Sequence, residues 1–220
     1  MRQLLLVRPE PGLSASTERA RQAGLDVIAC PLFRIEPLEW ELPNPNDYDG
    51  LLLTSANAVR YGGPKLGGLK ILPVHAVGAA TADAARAAGM TVETVGERDL
   101  ADLLAKLPKE TRLLHLAGDD HRETETGHRV DRRIVYRSAA IERPGLPPID
   151  GLVVAVHSPR AGAQLAELAE QRSRTAIAAI SVAAADATGL GWERVEVAER
   201  PNDSSLLALA ASLCHTSPPK

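Results

Sequence analysis

The sequence predicts an α/β protein made of two similar parallel-sheet domains, and three observations carry that expectation. Apolar runs of strand length alternate with small-residue or amphipathic stretches of helix length along most of the chain. The run Asp49-Gly50-Leu51-Leu52-Leu53-Thr54-Ser55 returns 101 positions later as Asp150-Gly151-Leu152-Val153-Val154-Ala155-Val156-His157-Ser158. The spacing beyond each copy also agrees. Ser55 to Val77 and Ser158 to Ile180 are both 22 positions, and each endpoint opens a run of small residues, Val77 to Ala84 and Ile180 to Ala187. One supersecondary unit repeated at equal spacing implies two halves of like fold. In a parallel sheet these strand-to-helix junctions lie at the carboxyl edge, where ligands bind, and first-turn N–H groups favour anions.

Taken in order, Gln3 to Val7 reads as a short buried strand that Arg8-Pro9 ends, because Pro has no N–H for a ladder. Ser14 to Ala23 reads as a helix with Ser14 as its cap and Gly24 just past its end. Asp26 to Cys30 is the next strand, and Pro31 to Pro37 alternates in an extended form that its prolines bar from helix. Leu42 to Tyr48 is a loop before the first central strand, Leu51 to Leu53, and a helix from Ala56. Pro73 to Val77 is a strand feeding a helix that contains Thr81 and stops at Gly89. Val92 to Val95 is a strand, Leu100 to Leu107 is helical by spacing, and Arg112 to Leu116 is a strand. A polar loop, Ala117 to Arg122, follows. Arg132 to Glu142 alternates in the manner of the first extended stretch, and Arg143 to Pro148 leads into the second copy.

Residues 1–36 supply two strands and one helix, too little for a domain, so they are expected to complete the sheet formed after residue 143. The expected organisation is therefore residues 1–36 plus 143–220 as one discontinuous domain and 38–133 as an inserted one. The stretches 31–37 and 134–142 become linker strands, and the ligand is expected in a cleft between the domains.

Composition excludes several classes of function. A net charge of −3 and a pI near 6.1 provide no global basic field, which argues against nucleic acid as a partner. Cys30 and Cys214 are the two cysteines, outside any metal-ligand spacing, and the six His show none either, so no metal site is expected. The amino-terminal run Leu4 to Val7 is too short for a signal-peptide core, and no run approaches the roughly 18 residues of a membrane span. A reduced, cytoplasmic protein without membrane attachment is the expectation. At 3% aromatic residues, a large aromatic cofactor pocket is not expected.

Six short segments, in their order, carry a likeness to a known family. They are Val7-Arg8-Pro9, Thr54 to Val59, Val77 to Ala82, Leu114 to Gly118, Val135-Tyr136 and Ser158 to Ala161. With them the chain resembles the uroporphyrinogen-III synthase (HemD-like) family over nearly its whole length. The resemblance implies two flavodoxin-like or Rossmann-like parallel-sheet domains joined by a two-stranded linker, with the ligand cleft between them. It implies a lyase acting on hydroxymethylbilane, a flexible chain of four pyrroles with eight carboxylates, as a monomer with no cofactor and no metal. The reaction loses water and closes the ring with inversion of ring D through a spiro intermediate, in haem biosynthesis. The second small-residue helix start departs from the family's Gly-x-x-Thr-Ala, with Ser181 and Ala184 at the Gly and Thr positions.

Tyr136 matches the family's Tyr and is the candidate catalytic residue, since a phenol carries a proton that could be given to a departing hydroxyl. Its ordinary reading is a residue of an amphipathic strand. Substrate-binding candidates are Arg8, Thr54, Ser55, Asn57, Gly78, Thr81, Ser158 and Arg160. Thr54, Ser55 and Asn57 serve equally as helix caps, and one residue can both cap and bind. Arg8 and Arg160 read otherwise as solvated charges, His157 as a space-filling residue at a strand end, and Gly78 as a position of close backbone approach. Two rival functions fit the same architecture. One is a non-catalytic two-domain sensor of a small anion or sugar; the other is a glycosyltransferase, against which stand the short length and the lack of an acidic nucleotide-binding signature.

Overall fold

The computed structural model describes residues 1–96, 99–120 and 127–216. The chain divides into two compact units, Met1–Arg34 with Ala139–Lys220, and Ile35–Ser138.

The first unit holds a five-stranded sheet. Its strands are β1 (Leu4–Leu6), β2 (Val27–Ala29), β9 (Val153–Val156), β10 (Ala176–Ala179) and β11 (Arg194–Val197), in the order β11-β10-β9-β1-β2. All of its pairings are parallel, with Leu5 opposite both Ile28 and Val154. Alternate side chains of such strands point to opposite faces, so each face needs a cover. Leu4, Leu6, Val153 and Ala178 pack under helices α1 (Gly12–Gln22) and α7 (Asp203–His215). Leu5, Val7, Val154 and Ile177 pack under α5 (Pro159–Leu168) and α6 (Val182–Asp186).

The second unit is built on a six-stranded sheet in the order β3-β8-β7-β4-β5-β6. Its strands are β3 (Phe33–Pro37), β4 (Gly50–Leu53), β5 (Val74–Val77), β6 (Val92–Gly96), β7 (Arg112–Gly118) and β8 (Arg129–Ala140). β4 runs parallel to β5 and β7, and β7 parallel to β8. At the edge the sense reverses. Leu38 N–H donates to Val135 O and Ile141 N–H to Leu32 O, so partners move in opposite directions along the chain and β3 is antiparallel to β8. An edge place also suits Pro37, which has no ladder N–H. Helices α2 (Ala56–Tyr61) and α3 (Ala79–Ala87) cover Leu51, Leu53, Leu114 and Leu116, and α4 (Leu100–Leu104) covers Leu52 and Leu113. Burying a leucine as completely as Leu52 contributes about 1.5–3 kcal/mol.

Several expectations are corrected. α1 starts at Gly12 behind Pro11, so Ser14 is no cap; its N–H and hydroxyl instead donate to the Glu10 carboxylate. The second extended stretch begins earlier than its alternation indicates, at Arg129. β11 and α7 lie beyond the last element read from sequence, although Asn202 and the apolar set Leu206, Leu207, Ala210, Leu213 mark α7 as an amphipathic helix with a cap. Part of the polar loop after Gly118 lies outside the described residues.

Candidate functional site

At the carboxyl edge of the second unit, β7 ends at Gly118, and the neighbouring strands β4 and β5 run out into Thr54 and Gly78, the residues just past their ends. Ser55 caps α2 by accepting a hydrogen bond from Asn57 N–H at 3.2 Å. Thr54 points to the opposite face, and its Oγ1 lies 3.0 Å from His115 Nε2 on β7. α3 starts differently. Gly78 has φ +80 and offers no side chain, so its first turn has no side-chain cap. A Cβ at Gly78 would meet no protein atom within 4 Å, so no neighbouring strand crowds it, and the left-handed backbone by itself demands glycine. Thr81, in the first turn of α3, is 5% exposed and so largely packed inside its unit.

Tyr136 reaches this edge through an irregularity in the sheet. His115 pairs with Arg132 and Ala117 with Ile134, but Gly118 pairs with Tyr136, so one extra residue sits in β8. A bulge of this kind turns the residues beyond it to the other face. Tyr136 thereby joins the face of Leu114 and Leu116, its ring 6.4 Å from that of Tyr61. At this edge the glycine that a neighbouring side chain crowds is Gly118, a residue to which the sequence assigns no role. A Cβ there would stand 2.6 Å from the Tyr136 ring. Asp119 completes the corner, its N–H donating to Tyr136 O and its carboxylate accepting from Ser138 N–H.

Thr54, Ser55, Asn57, Gly118 and Tyr136 line one cavity of about 330 Å³. That is near the lower end of small-molecule pockets, roughly 300–1,000 Å³, and admits one substituted pyrrole rather than four. Its donors are hydroxyls and an amide, groups that hydrogen-bond carboxylates without adding fixed positive charge.

The carboxyl edge of the first unit is organised around Asp203, the first residue of α7 and one not named among the candidates. Its carboxylate accepts from Arg8 Nη1 (2.8 Å), Ser16 Oγ (2.7 Å) and both Arg19 Nε and Nη2, and lies 2.8 Å from His157 Nε2. Burial alone would raise the Asp203 carboxyl; hydrogen bonds from His157, Ser16 and Arg19 overcome this and hold it well below the usual carboxylate range. Burial pushes His157 down, with Arg8 adding to the effect and Asp203 opposing it, so the ring is neutral at pH 7 and donates Nε2–H. Arg8 is thus an internal ion-pair partner, lying against Gly12 where a Cβ would come within 2.5 Å of it. Likewise His157 does more than fill space. Ser158 caps α5 by accepting from Ala161 N–H at 3.2 Å, and Arg160 stacks over Phe33 with its guanidinium carbon 4.9 Å from the ring centre.

Among the described residues no group of three or more His, Cys, Asp and Glu is arranged to hold a metal, and no helix is long and apolar enough to cross a membrane. The structure therefore brings Thr54, Ser55, Asn57 and Tyr136 together, sets Gly78 and Thr81 at the next exit, and holds Arg8, Ser158 and Arg160 in the other unit.

A family model described as uroporphyrinogen-III synthase HemD matches residues 14–208. The uroporphyrinogen-III synthetase of Helicobacter pylori is structurally similar, with a TM-score of 0.71 at 20% identity, covering 97% of this chain and 100% of that one. A mutant uroporphyrinogen III synthase from the extreme thermophile Thermus thermophilus has a TM-score of 0.51 at 21% identity, covering 96% and 98%. At these identities the likeness concerns the fold. A comparison with curated proteins finds no match.

Proposed function

The chain belongs to the uroporphyrinogen-III synthase family, and from that premise we propose that it cyclises hydroxymethylbilane to uroporphyrinogen III. The observation that carries the site is the shared cavity: the one phenol that matches the family's Tyr opens onto the same space as Thr54, Ser55 and Asn57.

In this reading Tyr136 gives its proton to the terminal hydroxyl of the bilane as the C–O bond breaks. Water leaves, a pyrrole N–H proton is lost, and an azafulvene remains. The substituted carbon of ring D attacks the azafulvene carbon to form the spiro intermediate. Fragmentation of that intermediate and reclosure at the other α-carbon invert the ring, and loss of the ring proton restores the pyrrole. Tyr136 regains its proton from solvent. Spontaneous closure competes at the free carbon of ring D, so the protein must chiefly hold the bilane in the geometry that favours the substituted one.

Among the described residues Tyr136 Oη makes no hydrogen bond within the protein, so its proton is not already committed. Thr54, Ser55 and Asn57 are proposed to bind substrate carboxylates beside it, with the uncapped first turn of α3 at Gly78 and Thr81 as a further donor set. Ser158 and Arg160 are proposed for the same task, with Arg8 contributing while it stays paired to Asp203. The chain of steps changes no net oxidation state and so calls for no redox cofactor, and we propose that it runs without a cofactor or a metal. We further propose a cytoplasmic monomer. No observation favours a non-catalytic sensor.

The test is incubation with enzymatically generated hydroxymethylbilane and separation of product isomers. Type III product is expected; an isomer ratio equal to that of spontaneous closure would overturn the assignment. Tyr136→Phe should lower turnover by about a hundredfold or more while keeping isomer choice. Asn57→Trp, which fills the cavity, should impair both rate and isomer choice. Since Thr81 is packed inside its unit, Thr81→Trp serves less well as an obstruction, because overpacking would cost stability first.

A further inference from the structure

His115 on β7 and Arg132 on β8 lie side by side on one face of the second unit's sheet, and Thr54, just past the end of β4, reaches His115 on that face. The pairing register sets this arrangement, with Leu52 opposite His115 and His115 opposite Arg132. His115 is 3% exposed, so which of its nitrogens carries the proton is decided by protein neighbours. Arg132 Nε lies 3.4 Å from His115 Nδ1, and a guanidinium can only donate. Nδ1 must then keep its lone pair. That excludes both the imidazolium and the Nδ1–H tautomer, leaving Nε2–H, which points at Thr54 Oγ1 across 3.0 Å.

We infer that His115 and Arg132 are positioning residues that set the polarity of the Thr54 hydroxyl, so that it donates outward to a substrate carboxylate. A hydroxyl has one proton and two lone pairs. With one lone pair engaged by His115, the Thr54 proton is free to turn into the cavity that Thr54 lines. In the reverse arrangement Thr54 would spend its proton on the imidazole and show only lone pairs to a polyanion. The device thus makes Thr54 a donor toward an acceptor-only ligand while the buried partner adds no charge to the pocket. It rests on the reading that Thr54 touches substrate.

The experiment compares Thr54→Val, His115→Leu, His115→Gln, Arg132→Met and the double variant Thr54→Val/His115→Leu, each first shown to be folded by its thermal transition. Turnover of enzymatically generated hydroxymethylbilane is read as KM against kcat. Thr54→Val and His115→Leu should each raise KM about tenfold with kcat changed little, as expected for a hydrogen bond to a charged group. The double variant should be no worse than either alone. His115→Gln, whose amide N–H stands near the place of Nε2–H, should restore most of the loss. Nitrogen-correlated NMR of the native protein should find His115 protonated at Nε2, and Arg132→Met should shift the ring toward a tautomer mixture. If Thr54→Val leaves KM unchanged, both the Thr54 contact and the relay are overturned. If Thr54→Val is impaired while His115→Gln and Arg132→Met behave as the parent, or native His115 carries its proton on Nδ1, the relay alone is overturned. Should His115→Leu fail to fold, His115→Gln, Arg132→Met and the NMR assignment still decide.

Discussion

The two Asp-Gly-Leu copies begin alike and are used differently. Gly50 lies in a buried strand, where the imidazole of His75 comes within 2.6 Å of the place a Cβ would take. Gly151 has open space around it but a φ of +79, so it is the backbone conformation that excludes a side chain. The exits diverge as well. After β4 comes Thr54, held by a histidine on the neighbouring strand and facing a cavity; after β9 comes His157, held by Asp203 from a helix. The next exits repeat the contrast, since α3 starts at an uncapped Gly78 whereas Ser181 caps α6 by accepting from Ala184 N–H. Here the departure from the family's Gly-x-x-Thr-Ala has a structural consequence. At this exit the second unit leaves the first-turn N–H groups without a side-chain cap, whereas the first unit caps them. A shared sequence motif therefore specifies a strand-to-helix junction, while its neighbours decide whether the junction faces a cavity or is tied up within its unit.

The sharpest way to break this comparison is to remove the brace. Asp203→Ala leaves Arg8, Arg19 and the buried His157 without their common partner. A loss of about 3 kcal/mol is expected, at the low end for one partner of a buried pair because the group keeps some contact with solvent. Because the folded carboxyl titrates below its unfolded value, its contribution is full above roughly pH 4 and lost as pH falls through the lower folded value. Urea unfolding from pH 7 into acid should show that slope in the parent and a weaker one in Asp203→Ala. Equal stability at neutral pH would mean that the cluster braces nothing.

Gly50→Ala comes next, with about 2 kcal/mol lost through overpacking against His75. Combining it with His75→Ala should cost clearly less than the sum of the two single changes, which a double-mutant cycle measures. Additive costs would separate Gly50 from the imidazole and remove half of the contrast. The smallest effect is expected for Gly151→Ala, about 1 kcal/mol for an alanine held in the left-handed region, with Gly151→Asn milder. If Gly151→Ala exceeded Gly50→Ala in the same unfolding assay, the reasons assigned to the two glycines would have to be exchanged.

Local information determined much of this protein. Apolar runs such as Leu51 to Leu53 and Val153 to Val156 specify buried parallel strands, and Ser55 and Ser158 cap the helices that follow, because periodicity and capping act within a few residues. The helix at the carboxyl end was equally legible in Asn202 and the leucines after it. What the sequence could not carry is which distant groups meet. Asp203 joins Arg8 across 195 positions, and His115 meets Thr54 only because β7 lies beside β4. The alternation through Arg132, Ile134 and Tyr136 reads as an unbroken strand. Only pairing with β7 inserts the bulge that turns Tyr136 over Gly118, because a strand's facing is defined by the register of its neighbour and not by its own residues.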